Sequence, residues 1–166
     1  METESLAAAL EREHREIGEG IAAFAAAPGD RRPLARAAAA LRRHIYLEEE
    51  FLFPLLRAAE PGLAVPVFVM LREHAQIWGT LQALDKALGR PAGAAGGGAA
   101  IGRRLAVQLV RHDLKEETIV YPRADALPAA AAGLALTFLG SGRLPAGWVC
   151  TLRARPVPRG PGRAGR

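Results

Sequence analysis

The chain has 166 residues, the length of a single domain; half of them are hydrophobic, and the formal charge is +5. No apolar run reaches the roughly 20 residues that a membrane span requires, and the N-terminus lacks the basic-then-apolar order of a signal peptide. A single cysteine, Cys150, excludes an internal disulfide, so we expect a cytoplasmic protein without a membrane partner.

Alanine and leucine dominate and β-branched residues are sparse, which predicts an all-α protein. The first predicted helix spans residues 2–27 and ends at Pro28-Gly29-Asp30. The second runs from Pro33 to Arg57, and Pro54 within it should kink or locally open the helix. We expect its inward face to continue through Glu48 to Phe51, Leu52 and Leu55, as a regular helix would.

A third helix is predicted over residues 64–88, followed by a flexible, glycine-rich connection over 89–98. A fourth follows over 101–124, with Glu116, Ile119 and Val120 inward, and a short apolar fifth helix lies within 128–142. Four helices joined mostly by short links favour an antiparallel up-down-up-down four-helix bundle over residues 1–127, with the fifth helix as a cap.

Residues 143–166 form the basic end of the chain. All 17 acidic residues precede position 143, so residues 1–142 carry a net charge of about −1 and the positive charge lies in this segment. Its Arg-, Pro- and Gly-rich composition predicts a disordered tail. Weak attraction to nucleic acid, lipid or an acidic partner is the alternative, but only Trp148 interleaves the arginines, so we expect no specific nucleic-acid partner.

The four histidines of the chain fall into two signatures that each occur twice. Arg-Glu-His, followed three residues later by isoleucine, occurs at His14 and His74. His-x-x-x-Glu-Glu, with a proline ten residues after the histidine, begins at His44 and His112. This duplicated order is difficult to explain by core packing alone.

Helix geometry gathers these residues into one cluster. Residues four apart share a helix face, so His44 points with Glu48 and His112 points with Glu116. His14 and His74 face the same core from the first and third helices. A single inward histidine is usually a core residue, but two inward carboxylates would be expensive to bury without an ion. The six residues therefore predict a metal site with two-fold character, in which carboxylates bridge two ions.

Other glutamates adjoin the signatures. Glu49 and Glu117 follow the histidines by five residues and are rotated by about 140° on an ideal helix, so at most they would support the ligands from outside. Glu13, Glu16 and Glu73 are predicted to lie on a solvated helix face.

The ordered set of signatures resembles the hemerythrin-like HHE cation-binding family over residues of about 5–125. This resemblance implies a four-helix bundle around a non-haem di-iron centre, bridged by oxo or hydroxo groups and carboxylates, with zinc or manganese as alternative metals. Its implied metal ligands are His14, His44, Glu48, His74, His112 and Glu116. The implied function is to bind or sense a small oxidant or gas, namely oxygen, peroxide or nitric oxide. The alternatives are a di-iron enzyme that decomposes peroxide and an iron donor for iron-centre repair.

One departure from the family bears on this function. Oxygen-carrying hemerythrins have a further histidine one turn after the third-helix histidine, where this chain has Trp78. The set is therefore closer to bacterial di-iron proteins of iron-centre repair and to the iron-sensing domain of an F-box protein. Ferritin-like bundles need Glu-x-x-His pairs on two helices, and only Glu11-x-x-His14 matches. The nearby aromatic residues are predicted to be ordinary core residues: Tyr46, Phe51, Trp78 and Tyr121.

Overall fold

The computed structural model describes residues 4–89 and 96–154, where all regular elements are helical. The helices are α1 (Leu6–Ala26), α2 (Arg32–Leu47), α3 (Phe53–Ala59), α4 (Ala64–Leu88), α5 (Gly96–Lys115), α6 (Ala129–Ser141) and α7 (Thr151–Ala154). The four bundle helices follow the predicted order. The first is α1, the second consists of α2 and α3, and the third and fourth are α4 and α5. The Ser5 hydroxyl caps α1 by accepting from the Ala8 N–H at 3.2 Å, and Pro33 lies in the first turn of α2. The predicted all-helical bundle is confirmed.

Two π-helical turns follow the His-x-x-x-Glu pairs, over Glu48–Leu52 and Glu116–Val120. In each turn the N–H of the residue before a proline donates to the carbonyl five residues earlier, from Phe53 to Glu48 and from Tyr121 to Glu116. The next residue, Pro54 or Pro122, has no N–H and cannot continue the regular ladder. The predicted opening at Pro54 is confirmed, and the same device recurs at Pro122.

The π turns shift the buried face of the second and fourth bundle helices by one residue. The inward positions predicted for Phe51, Leu55 and Ile119 are wrong, since these side chains are 44%, 40% and 44% exposed. A π turn holds more residues than an α turn, so the residue after each expected one comes to face the core. Leu52 and Val120, which were also predicted inward, are buried, and so are Phe53, Leu56 and Tyr121.

The fourth bundle helix begins earlier than predicted. Residues 96–98, expected within the flexible connection, form the first turn of α5, while residues 90–95 lie outside the described residues. The small glycines allow this helix to approach the end of α4 and the ring of Phe24 closely. A Cβ at Gly98 would lie 3.1 Å from Leu88 Cδ2, and one at Gly102 would lie 3.1 Å from Phe24 Cδ1.

Two apolar clusters fill the bundle on either side of a polar middle. One contains, among others, Ile17, Ile21, Phe24, Ile77, Leu81 and Leu105. The other contains, among others, Leu6, Leu10, Leu52, Phe53, Met70 and Val120. On α1, His14 lies between Leu10 of one cluster and Ile17 of the other, so the predicted site residues lie between two dry layers.

The predicted fifth helix is present as α6 and packs on α1 and α2 beside the second cluster through partly buried Leu136 and Leu139. Within residues 4–89 and 96–154, no helix combines the length and the apolar character needed to cross a membrane.

The structure corrects the expectation that the chain is disordered from residue 143 onward. Trp148 packs edge-on against Trp78 at 5.4 Å and Tyr46 at 5.2 Å between ring centroids. Cys150 is fully buried, and Arg153 donates to Gln82 at 2.8 Å. Burial of the apolar residues interspersed among the arginines stabilises this segment. The average composition of the tail does not reveal these residues. Residues 155–166 lie outside the described part of the chain.

Candidate metal centre

The structure brings all six predicted site residues together in the polar middle of the bundle. They form two groups of four, in which the candidate ligand atoms all lie within 4.8 Å of one another. One group contains His14 and His44, the other contains His74 and His112, and both contain Glu48 and Glu116. Every one of these side chains is at most 5% exposed. We call the two groups the His14–His44 position and the His74–His112 position.

The histidines of each position direct their Nε2 atoms at each other. The Nε2 atoms of His14 and His44 are 3.1 Å apart, and those of His74 and His112 are 3.2 Å apart. Neighbouring ligand atoms about 2.1 Å from one metal ion lie about 3 Å apart when they subtend a right angle. The spacing is therefore the one that a shared cation would require.

Glu48 lies between the two positions. Its Oε1 is 3.3 Å from His44 Nε2, and its Oε2 is 3.3 Å from His74 Nε2, so one carboxylate oxygen faces each histidine pair. Glu116 Oε2 is 3.4 Å from His14 Nε2 and 3.3 Å from His112 Nε2. Among the described residues, Glu48 Oε2 and Glu116 Oε1 are buried without a hydrogen-bond partner. Two orphaned carboxylate oxygens among imidazole nitrogens fit a pair of bridged metal cations.

A ring of four further carboxylates holds the outer nitrogens of the histidines. Each histidine Nδ1 lies within hydrogen-bond distance of a glutamate on another bundle helix. The pairs are His14 with Glu117 at 3.0 Å, His44 with Glu13 at 2.8 Å, His74 with Glu49 at 2.9 Å and His112 with Glu73 at 3.0 Å. A carboxylate on Nδ1 places the proton there and leaves Nε2 free to bind a metal.

The ring corrects the predictions for Glu13 and Glu73 and agrees with those for Glu49 and Glu117. Glu13, expected on a solvated face, is 5% exposed and also pairs with Arg43. Glu73 is likewise tied to Lys115 at 2.5 Å. Glu49 and Glu117 contact histidines from outside the cluster. This is the supporting role predicted for them.

The electrostatics of the cluster favour positive charge between the two carboxylates. Burial lowers the pKa of His112, but Glu116 and Glu73 outweigh it and raise the pKa to about 10. Burial and Glu48 raise the pKa of Glu116, yet His112 and His14 bring it down to about 2. Without a cation, protons on the histidines thus supply the counter-charge. Only one hydrogen fits between the paired Nε2 atoms of each position. Protons can therefore supply less positive charge at each position than a metal ion would.

Sequence reasoning missed Tyr121, which was expected to be an ordinary core aromatic. It is fully buried, but its hydroxyl lies 2.6 Å from Glu48 Oε1 and 2.8 Å from His14 Nε2. Asp113 was missed as well, and its Oδ1 is 3.8 Å from His14 Nε2. The signal for Tyr121 was its place directly before Pro122, where the π turn directs it inward.

The substitution Glu13→Ala should weaken metal binding without unfolding the bundle. Losing the carboxylate that orients a histidine ligand typically costs about 10–100-fold in metal affinity. Competition with a chromophoric chelator measures this affinity. Glu16→Ala is a matched control, because Glu16 is on the same helix with a 62% exposed side chain. Equal affinities for the two variants would contradict the orienting role of Glu13.

Comparison with known proteins gives one result. The model of the family described as hemerythrin HHE cation binding domain matches residues 5–124, which includes all six candidate ligands. No curated protein and no solved structure matches the chain.

Proposed function

The chain belongs to the hemerythrin HHE cation-binding family, and we propose that its six-residue cluster binds two iron ions and that this centre binds or senses oxygen, peroxide or nitric oxide. The observation that carries the proposal is the sharing of Glu48 and Glu116 between two histidine pairs. Imidazole suits iron, zinc and copper, whereas bridging carboxylates add the hard oxygen ligands that iron accepts.

Bound iron would supply redox activity and an open coordination position for a small ligand. The protein residues supply the surroundings. His14, His44, His74 and His112, with Glu48 and Glu116, would hold the two ions. The carboxylate ring fixes the histidine tautomers, and the two apolar clusters exclude bulk water from both sides.

Trp78 supports a role other than simple oxygen storage. Its side chain is 5% exposed, packs on Trp148 and lies under the guanidinium of Arg42 at 5.9 Å. The residue one turn after His74 therefore packs in the core and does not supply a ligand. Four histidines remain to bind two ions.

Protein purified without chelator tests the proposal. We expect elemental analysis to find two irons per chain, and the reduced protein to change its visible spectrum reversibly on adding and removing oxygen or nitric oxide. His74→Ala and Glu116→Ala should abolish the change, whereas Glu16→Ala should not. Bound zinc, or no metal at all, would contradict an iron centre.

Two other results would redirect the function while keeping the iron. Sustained peroxide decomposition that depends on His44 and Glu116 would identify an enzyme. Rapid loss of iron to an apo iron–sulfur protein would identify an iron donor.

A further inference from the structure

The internal repeat is broken inside the metal centre at the residue before each proline. Nine residues after the histidine of the second signature, the first copy has Phe53 and the second copy has Tyr121. Each precedes the proline that ends a π turn, and each is buried. The two positions of the centre therefore receive different side chains from equivalent points of the fold.

The Tyr121 hydroxyl lies within hydrogen-bond distance of all four candidate ligands of one position. Its oxygen is 2.8 Å from His14 Nε2 and 3.0 Å from His44 Nε2. It is 2.6 Å from Glu48 Oε1 and 3.2 Å from Glu116 Oε2. A hydroxyl can donate one hydrogen bond and accept two, so hydrogen bonding accounts for at most three of these four contacts.

These five atoms have the spacing of ligands around one ion. The neighbouring nitrogen and oxygen atoms of the His14–His44 position are 3.1 Å, 3.3 Å and 3.4 Å apart. The hydroxyl lies between 2.6 Å and 3.2 Å from each of these four atoms. Neighbouring ligands about 2.1 Å from a metal ion show spacings of about 3 Å.

We propose that Tyr121 is a fifth protein ligand of the His14–His44 position, and that an external small ligand therefore binds at the His74–His112 position. With an ion bound, the phenol would lose its proton to solvent and its oxygen would serve as a phenolate ligand. Phenolate oxygen is a hard ligand that suits ferric iron. This inference rests on the proposed iron centre and assigns different roles to its two halves.

Among residues 4–89 and 96–154, no hydroxyl makes a hydrogen bond to the Nε2 atom of His74 or His112. Phe53 stacks on His74 there, with ring centroids 5.6 Å apart and planes at 16°. The two orphaned carboxylate oxygens, Glu48 Oε2 and Glu116 Oε1, lie 3.3 Å and 3.8 Å from His74 Nε2. This half of the centre therefore offers four protein ligands and leaves further coordination sites for an external ligand.

Visible and resonance Raman spectra of the ferric protein test the assignment. A phenolate bound to ferric iron gives a charge-transfer band and ring vibrations that histidine and carboxylate ligands lack. We expect these signals in the unmodified protein and in Tyr46→Phe, which removes the only other tyrosine. Tyr121→Phe should lose them while elemental analysis still finds both irons.

The mirror variant Phe53→Tyr should strengthen the phenolate signal and reduce binding of azide, a small anionic probe of the open coordination site. Two bound irons without a phenolate signal in the unmodified protein would overturn the assignment of Tyr121 and leave the proposed function standing. An unchanged signal in Tyr121→Phe would overturn it as well. A chain that takes up no iron would overturn both.

Discussion

Replacing Glu48 with alanine should cost the protein both metal ions, whereas replacing His14 with alanine should cost only one. Glu48 directs one carboxylate oxygen at each histidine pair, at 3.3 Å from His44 and from His74. His14 belongs to one position only. Without Glu48, each position retains two histidines and Glu116, and the charge that the carboxylate contributes to both ions is lost.

Elemental analysis after dialysis against a weak chelator measures the difference as ions per chain. Glu48→Gln keeps the side-chain volume and serves where Glu48→Ala unfolds, since it removes the charge alone. Glu116→Ala should match Glu48→Ala because the other shared carboxylate is equivalent in the repeat. Glu16→Ala provides the surface control. Retention of one ion by Glu48→Ala and Glu48→Gln would show that the carboxylate does not serve both positions.

The sequence was sufficient to predict the bundle and the six clustered residues because both depend on regular helix geometry. A spacing of four residues places His44 with Glu48 and His112 with Glu116 whatever lies elsewhere in the chain. The inward-facing residues of α1 and α4 could be predicted equally well, since neither helix contains an interruption. Whether the six residues bind metal remains a prediction that the experiments above test.

Beyond Glu48 and Glu116, regular geometry fails and so did the prediction. A 3.6-residue repeat continued past Glu116 places Ile119 inward, but the π turn places Tyr121 there instead. The opening of the helix at Pro54 shifts the buried face by one residue, which a regular helical repeat does not predict. The same reasoning at Pro122 would have directed Tyr121 into the cluster.

Two members of the carboxylate ring, Glu13 and Glu73, were missed for a different reason. Each of them points away from the histidine that follows it, so on a single helix both look solvated. Their partners, His44 and His112, lie on the neighbouring helix. Packing of two helices decides this contact, and the recurrence of Glu before both His14 and His74 was its signal in the sequence.

Removing the metal should lower the melting temperature strongly and should make it fall as the pH rises from 7 to 10. A ligand present at a thousand times its Kd adds about 4 kcal/mol to stability, so two such ions raise Tm by roughly 15–30 °C for a chain of this size. The metal-free protein depends instead on protons. The pKa of His112 is about 10 in the fold and about 6.5 in an unfolded chain.

The sign of the pH dependence follows from these two values. Because the folded pKa of His112 is raised, its contribution to the stability of the metal-free protein is complete below about pH 6.5 and is lost as the pH rises through about 10. Metal binding has the opposite dependence, since the ions displace these protons and bind more tightly as the pH rises. The difference in Tm between the two forms should therefore widen from pH 7 to 10 in calorimetric scans, and His112→Gln should flatten the slope of the metal-free protein. A metal-free Tm that rises over this range would show that the cluster does not store protons in place of metal.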